Sequence, residues 1–157
     1  MNDLDAKFMR LALKEAHKAS LLDEVPVGAV LVFEGRVVAR AFNKRETLNS
    51  PIAHAEILVI EKASKKLKSW RLVDSTIYIT LEPCPMCAGA ILNARIPRVV
   101  YGAKDPKGGA LGSSFNLFAQ PNLNHYPEIT SGILENECSK TLSDFFKKKR
   151  ESKEKSA

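Results

Sequence analysis

Cysteine is scarce in this chain: among 157 residues there are three, Cys84, Cys87 and Cys138. An odd count with no secretory signal points to a reducing compartment, the cytoplasm. The first ten residues, MNDLDAKFMR, are charged and lack the apolar stretch of a leader peptide. No apolar run approaches the ~18 residues that a membrane-spanning helix needs. There is no internal repeat. The glycine-rich stretch DPKGGALGSS, Asp105 to Ser114, lacks the G-x-x-x-x-G-K-[ST] pattern of a phosphate loop. What remains is a chain of single-domain length with ordinary composition, 45% hydrophobic and 27% charged. A chain of this size buries about two-thirds of its unfolded surface, so its core needs no disulfide framework.

Charge of one sign collects at the C-terminus. The net charge is +6. Six cations (Lys147, Lys148, Lys149, Arg150, Lys153, Lys155) stand there against Glu151 and Glu154. That end alone therefore carries +4. Residues 151–157 read as a basic, disordered tail beyond a domain spanning residues 1–150. A basic end of this kind suits phosphate backbones, although a plain solvated tail has the same composition.

Periodicity sets out the elements. Leu4, Phe8, Leu11, Ala12 and Ala16 recur at helical spacing, which predicts a helix over Leu4 to Ala19. VPVGAVLVF (Val25 to Phe33) and RVVARAF (Arg36 to Phe42) read as a hairpin broken at Glu34-Gly35. Residues 43–50 form a polar loop. Ser50-Pro51 then predicts the start of a helix running to about Leu67. STIYITL (Ser75 to Leu81) and RVVYGA (Arg98 to Ala103) read as strands. Pro83 and Pro85 open a short helix between them that reaches Ala94. EITSGI (Glu128 to Ile133) is a further short strand, and the last helix covers Leu134 to Arg150. Leu134, Cys138, Leu142, Phe145 and Phe146 form its apolar side. This order predicts an α/β fold: a three-layer α/β/α sandwich on a mixed sheet of about five strands. Local pattern does not give the strand order.

Two motifs carry chemistry. LEPCPMCAGAI, Leu81 to Ile91, places Cys84 and Cys87 three apart at a helix start. A C-x-x-C pair there has depressed thiol pKa values, which suits disulfide exchange. It also suits metal binding, since residues i and i+3 can aim both sulfurs at one point. PIAHAEILVI, Pro51 to Ile60, offers His54 and Glu56. Two cysteines and one histidine leave the fourth corner of a zinc tetrahedron open, as catalytic sites require. Cys138 reads as a core residue on an apolar helix face. His54 and Glu56 are about 200° apart on a regular helix. Either His54 sits on a ragged first turn, or Glu56 approaches the metal's water from another side, where a carboxylate serves as general base.

The H-A-E and P-C-x-x-C pair resembles the zinc-dependent cytidine deaminase superfamily. The runs VPVGAVLV, AHAEI, TLEPCPMCAGAI, RVVYGAKDPKGGALGS and LSDFFKKKR are similar to the bacterial tRNA-specific adenosine deaminase family. They keep that family's order from about Leu4 to Arg150. The resemblance implies a cytidine deaminase-like fold and one Zn²⁺ per subunit on His54, Cys84 and Cys87. It implies that Glu56 moves protons as water attacks C6 of adenine, yielding inosine and ammonia. Asn43, Val27 and Leu81 would contact or wall the target nucleotide. Asp105, Lys107, Phe145, Phe146 and Arg150 would meet the anticodon stem-loop. The implied substrate is the wobble position of tRNA, in a tRNA reading arginine codons, and the implied assembly is a homodimer. A deaminase of a free base or nucleoside, such as guanine or cytidine, is the alternative within the enzyme class. A non-catalytic RNA-binding module with structural zinc is the alternative outside it. Two departures stand out: Ser50-Pro51-Ile52 where the family more often has Asp-Pro-Thr, and a C-terminus richer in Lys than Arg.

Overall fold

Glu34 and Gly35, both at positive φ, turn the chain sharply between β1 (Gly28–Phe33) and β2 (Arg36–Phe42). The computed structural model describes residues 3–156. Before the hairpin comes α1 (Asp3–Leu21). After it follow α2 (Ala55–Leu67), β3 (Ser75–Leu81), α3 (Pro85–Asn93), β4 (Arg98–Ala103), a short 3-10 turn (Leu117–Ala119), β5 (Glu128–Thr130) and α4 (Glu135–Ser156). The sheet order is β2-β1-β3-β4-β5. β1 is antiparallel to both β2 and β3, whereas β3, β4 and β5 run parallel. The β3–α3–β4 unit is the crossover that a parallel pair requires.

Strand alternation sends side chains to two cores. Ala29, Leu31, Ile77, Ile79, Val99 and Tyr101 pack against Val59 and Ala63 of α2 and Ala88 and Ile91 of α3. Val30, Val32, Tyr78 and Val100 pack on the other face against Phe8, Met9 and Ala12 of α1 and Cys138 of α4. These are the three layers expected, and Cys138 is the buried core residue its position suggested. α1 lies very close to the sheet. A Cβ at Gly28 would fall 2.6 Å from the Ala16 amide and closer still to the Ala12 carbonyl, so only glycine fits.

A buried ionic cluster ties this face together. Both terminal nitrogens of the Arg98 guanidinium, Nη1 and Nη2, donate to the Asp5 carboxylate, at 2.8 and 2.7 Å. The Tyr78 hydroxyl donates to the same carboxylate at 2.8 Å, and Arg98 also reaches the Thr130 hydroxyl at 3.0 Å. Four elements, α1, β3, β4 and β5, meet in that network. The Arg98 hydrogen bond, first among the causes, holds Asp5 below its usual pKa despite burial.

The structure moves several boundaries: β1 starts at Gly28 rather than Val25, β5 ends at Thr130 rather than Ile133, and two helix boundaries shift as well. Ser50-Pro51 does not open a helix. Residues 44–50 close on themselves through Leu48 N–H to Lys44 O, Asn49 N–H to Glu46 O and Ser50 N–H to Arg45 O, and α2 starts after His54. At the other end, α4 runs on through residues 151–156, past the expected helix end at Arg150. The spacing explains it: Lys147–Glu151, Arg150–Glu154 and Glu151–Lys155 are opposite charges four apart, and the final-turn lysines favour a helix C-terminus. Residue 157 lies outside the described residues.

Asp5 has a lowered folded pKa, so its contribution to stability is present above the usual value of 3.8 and is lost as pH falls through the lower folded value. Arg98→Met is expected to destabilise the protein by about 3 kcal/mol near neutral pH, because it strands a buried carboxylate. It is also expected to shrink the loss of stability seen below pH 3.8. Urea midpoints across a pH series measure both. Parallel pH curves for wild type and variant would contradict this role.

Candidate active site

Four strands meet at one end of the sheet. β1 begins there, β2, β3 and β4 end there, and Gly28 N–H donates to Thr80 Oγ1 across it at 3.1 Å. Their flanking residues enclose a cavity of about 150 Å³ lined by Val25 and Val27 before β1 and by Asn43 and Arg45 after β2. Leu81, Glu82 and Cys84 at the end of β3, and Asp105 after β4, complete the strand-end lining. His54, Ala55 and Glu56 enter from the start of α2.

Two helix N-termini converge on this cavity. His54 is the N-cap of α2, with extended backbone at φ −75° and ψ 153°. Cys84 is the N-cap of α3, equally extended at φ −74° and ψ 172°, with Pro85 opening the helix. The angular conflict between His54 and Glu56 therefore disappears: His54 precedes the helix, and only Glu56 follows its geometry. His54 Nδ1 lies 3.7 Å from Cys84 Sγ and 3.5 Å from Cys87 Sγ, and the three atoms all lie within 4.8 Å of one another. Zinc–sulfur and zinc–nitrogen bonds at a tetrahedral angle would put nitrogen and sulfur about 3.6 Å apart. The donor set and spacing fit that ion.

Electrostatics agree with a cation between these groups. Cys84 is drawn down to about 4, first by its hydrogen bond with Cys87 and further by His54. Cys87 is pushed up, first by the same Cys84 contact and then by burial. One thiol of the pair thus gives up its proton readily, and the second is held back chiefly by negative charge and burial. A divalent cation relieves both obstacles. Glu56 is buried, and burial raises it to about 7. A carboxyl poised there can both accept and return a proton.

The remaining expected residues divide. Asn43 is buried in the pocket wall. Its Nδ2 donates to Val25 O at 3.1 Å, and its Oδ1 accepts from Arg45 N–H at 3.0 Å. It is both a turn-forming asparagine and a cavity residue. Val27, Leu81 and Asp105 line the cavity. Lys107 is exposed on the same loop as Asp105, its N–H donating to the Asp105 carboxylate at 3.2 Å. Phe145, Phe146 and Arg150 lie on α4 outside this cavity. Phe146 is 44% exposed and Phe145 half-buried, so neither is a core residue. Phe145 lines a separate groove between α1 and α4 with Lys148 and Lys149.

Two buried glutamates escaped the sequence reading. Glu24 accepts from the amides of Glu46 and Thr47 at 3.0 and 2.6 Å and so holds the loop bearing Arg45. Glu82 accepts from the amides of Asp105, Leu111 and Ser113 at 3.1, 3.0 and 3.1 Å, and from the Ser113 hydroxyl. Burial pushes both up, but these hydrogen bonds bring both below the usual glutamate value. The available signal was local: each glutamate adjoins apolar strand residues, and each faces a turn-rich loop whose amides need acceptors.

A sequence profile of the MafB19-like deaminases matches residues 2–150. The tRNA-specific adenosine deaminase of Bacillus subtilis is 53% identical, over 95% of this chain and 92% of its own. That of Haemophilus influenzae is 50% identical, over 97% and 88%. A solved chain from structural studies of A-to-I editing by tRNA:A34 deaminases superposes with a TM-score of 0.84. It is 52% identical and covers 87% of this chain and 99% of its own. Bacillus subtilis guanine deaminase is more distant, with a TM-score of 0.63 and 33% identity, over 82% and 83%. The chain belongs to the MafB19-like deaminases, and among them to the family of tRNA-specific adenosine deaminases.

Proposed function

We propose that this protein is a zinc-dependent hydrolase that converts adenosine to inosine at the wobble position of tRNA, in a tRNA that reads arginine codons. The observation that carries the chemistry is the buried Glu56 carboxyl beside the His54–Cys84–Cys87 cluster, in one cavity of about 150 Å³. The choice of tRNA over a free nucleoside is supported by the names of the relatives above, half or more identical to this chain.

His54, Cys84 and Cys87 would hold zinc, which when bound supplies the Lewis acidity that lets water act as a nucleophile near neutral pH. Glu56 takes a proton from the attacking water and passes it to N1 of adenine, then takes the proton of the hydroxyl formed at C6 and hands it to the departing amine. Water adds at C6 and ammonia leaves, so adenosine and water become inosine and ammonia. Val27 and Leu81 form apolar walls for the purine. Asn43 has spent one N–H of its amide on Val25 and keeps a second for the nucleotide. The small cavity accepts one extruded base, and an anticodon loop presents splayed bases at low unstacking cost. Asp105 at the rim, Lys107 beside it, and Phe145, Phe146 and Arg150 on α4 would meet the flanking stem-loop. The working form is a cytoplasmic homodimer in which one tRNA touches both subunits.

Three outcomes check this reading. Protein purified without added metal is expected to carry about one zinc per chain by elemental analysis. His54→Ala or Cys87→Ala should lose it, while Glu56→Gln should keep it. An anticodon stem-loop incubated with the protein should yield inosine on nucleoside digestion, and Glu56→Gln should slow this about a thousandfold. Turnover of free guanine or cytidine with none on the stem-loop would overturn the substrate assignment. Truncation after Phe146 removes six cations. It should weaken RNA binding and flatten the dependence of binding on salt concentration. An unchanged salt slope would leave the C-terminal cations without a role in binding.

A further inference from the structure

The pocket wall that follows β4 has almost no regular structure of its own, yet one side chain gathers four of its donors. Residues 104–114 contain three glycines and two serines, and they leave many amides without strand or helix partners. Glu82, 2% exposed, gathers them. Its Oε1 accepts from Asp105 N–H and the Ser113 hydroxyl, and its Oε2 accepts from Leu111 N–H and Ser113 N–H. The Pro83 carbonyl adds Ala110 N–H at 2.9 Å. Gly109 passes so near the carboxylate that a Cβ would fall 2.5 Å from either oxygen. The Asp105 turn is then closed by Gly109 N–H to Asp105 O at 2.8 Å and by Gly108 N–H to Oδ1 at 3.1 Å. Glu82 and Pro83 immediately precede Cys84 in sequence. The loop is therefore fastened to the same stretch of chain that carries a candidate metal ligand.

We infer that Glu82 is a positioning residue that fixes residues 105–113 as the rim of the pocket and thereby sets affinity for a substrate extending beyond the base. It does not touch the reacting atoms, because both its oxygens are engaged by the loop. A base in the cavity floor meets Val27, Leu81 and Glu56. The nucleotides on either side must cross the rim, where Asp105 and Lys107 stand. A carboxylate accepting from four donors in a buried setting holds that rim far more rigidly than the loop could hold itself. Glutamine in its place presents one oxygen and one NH₂, so either the Oε1 pair or the Oε2 pair of donors faces another donor.

This inference rests on the stem-loop substrate proposed above, and two readouts separate the failure of one from the failure of the other. The first needs no substrate: amide hydrogen exchange of Glu82→Gln should accelerate about tenfold or more at Asp105, Leu111 and Ser113, with α1 and α4 unchanged and zinc content retained. The second is kinetic. On a stem-loop that wild type deaminates, Glu82→Gln should raise KM about tenfold while kcat per bound zinc stays within about twofold. Ser113→Ala, which leaves three donors and the charge in place, should move both readouts in the same direction by about threefold. It keeps the test decisive if Glu82→Gln fails to fold. Unchanged exchange in the loop of either variant overturns the inference. So does a fall in kcat that merely tracks zinc loss with KM unaltered. A wild type inactive on the stem-loop would instead overturn the substrate reading and leave the exchange result standing.

Discussion

Everything about this molecule depends on two helices starting at the same place. His54 caps α2 and Cys84 caps α3, and Nδ1 and Sγ come within 3.7 Å of each other. Extended N-cap backbone lets His54 and Cys84 reach across the gap, and Cys87 joins them from the first turn of α3. The positive ends of both helix dipoles then face the cluster, which favours thiolate over thiol. The sheet makes the meeting possible. With β1 antiparallel to β2 and β3, and β4 parallel to β3, the segments that precede or follow four strands all open at one edge. This is the usual place for ligands in open α/β sheets, outside the carboxyl ends of parallel strands.

The two faces of the sheet have different tasks. α2 and α3 pack on one face and bring the chemistry. α1 and α4 pack on the other and supply rigidity, with the Asp5–Arg98–Tyr78 cluster pinning α1 to β3 and β4. The loops that wall the cavity are irregular, and each hangs from a single buried carboxylate, Glu24 on one side and Glu82 on the other. Acidic side chains serve here as internal scaffolding. The cations of α4 lie away from the cavity, and one of them, Lys149, pairs with Asp23 at 2.6 Å.

Much of the fold was legible. Strands β2, β3 and β4 fall where apolar β-branched runs predicted, because alternation and short length are local properties. The two helix-start motifs located the cluster, because C-x-x-C and H-x-E are also local. What was not legible depended on distant partners. Ser50-Pro51 looked like a helix start, but the chain there is committed to a turn beside Glu24, and the helix waits until Ala55. Residues 151–156 have no apolar face to signal a helix, yet α4 continues through them, with opposite charges spaced four apart. Asp5 lies three residues before Phe8 on the buried stripe of α1. Its burial was therefore hinted at by periodicity, but its cation, Arg98, is 93 residues away. Glu82 sat inside the most conspicuous motif in the chain; its apolar neighbours hinted at burial, but the loop it holds lies 23 to 31 residues away.

The most direct measurement is the identity of the wobble base in cellular tRNAs. Sequencing of the tRNAs that read arginine codons, before and after depletion of this protein, distinguishes inosine from adenosine at that base. Inosine replaced by adenosine on depletion is the expected result. Wobble inosine that persists undiminished without the protein would contradict its assignment as the enzyme that makes it.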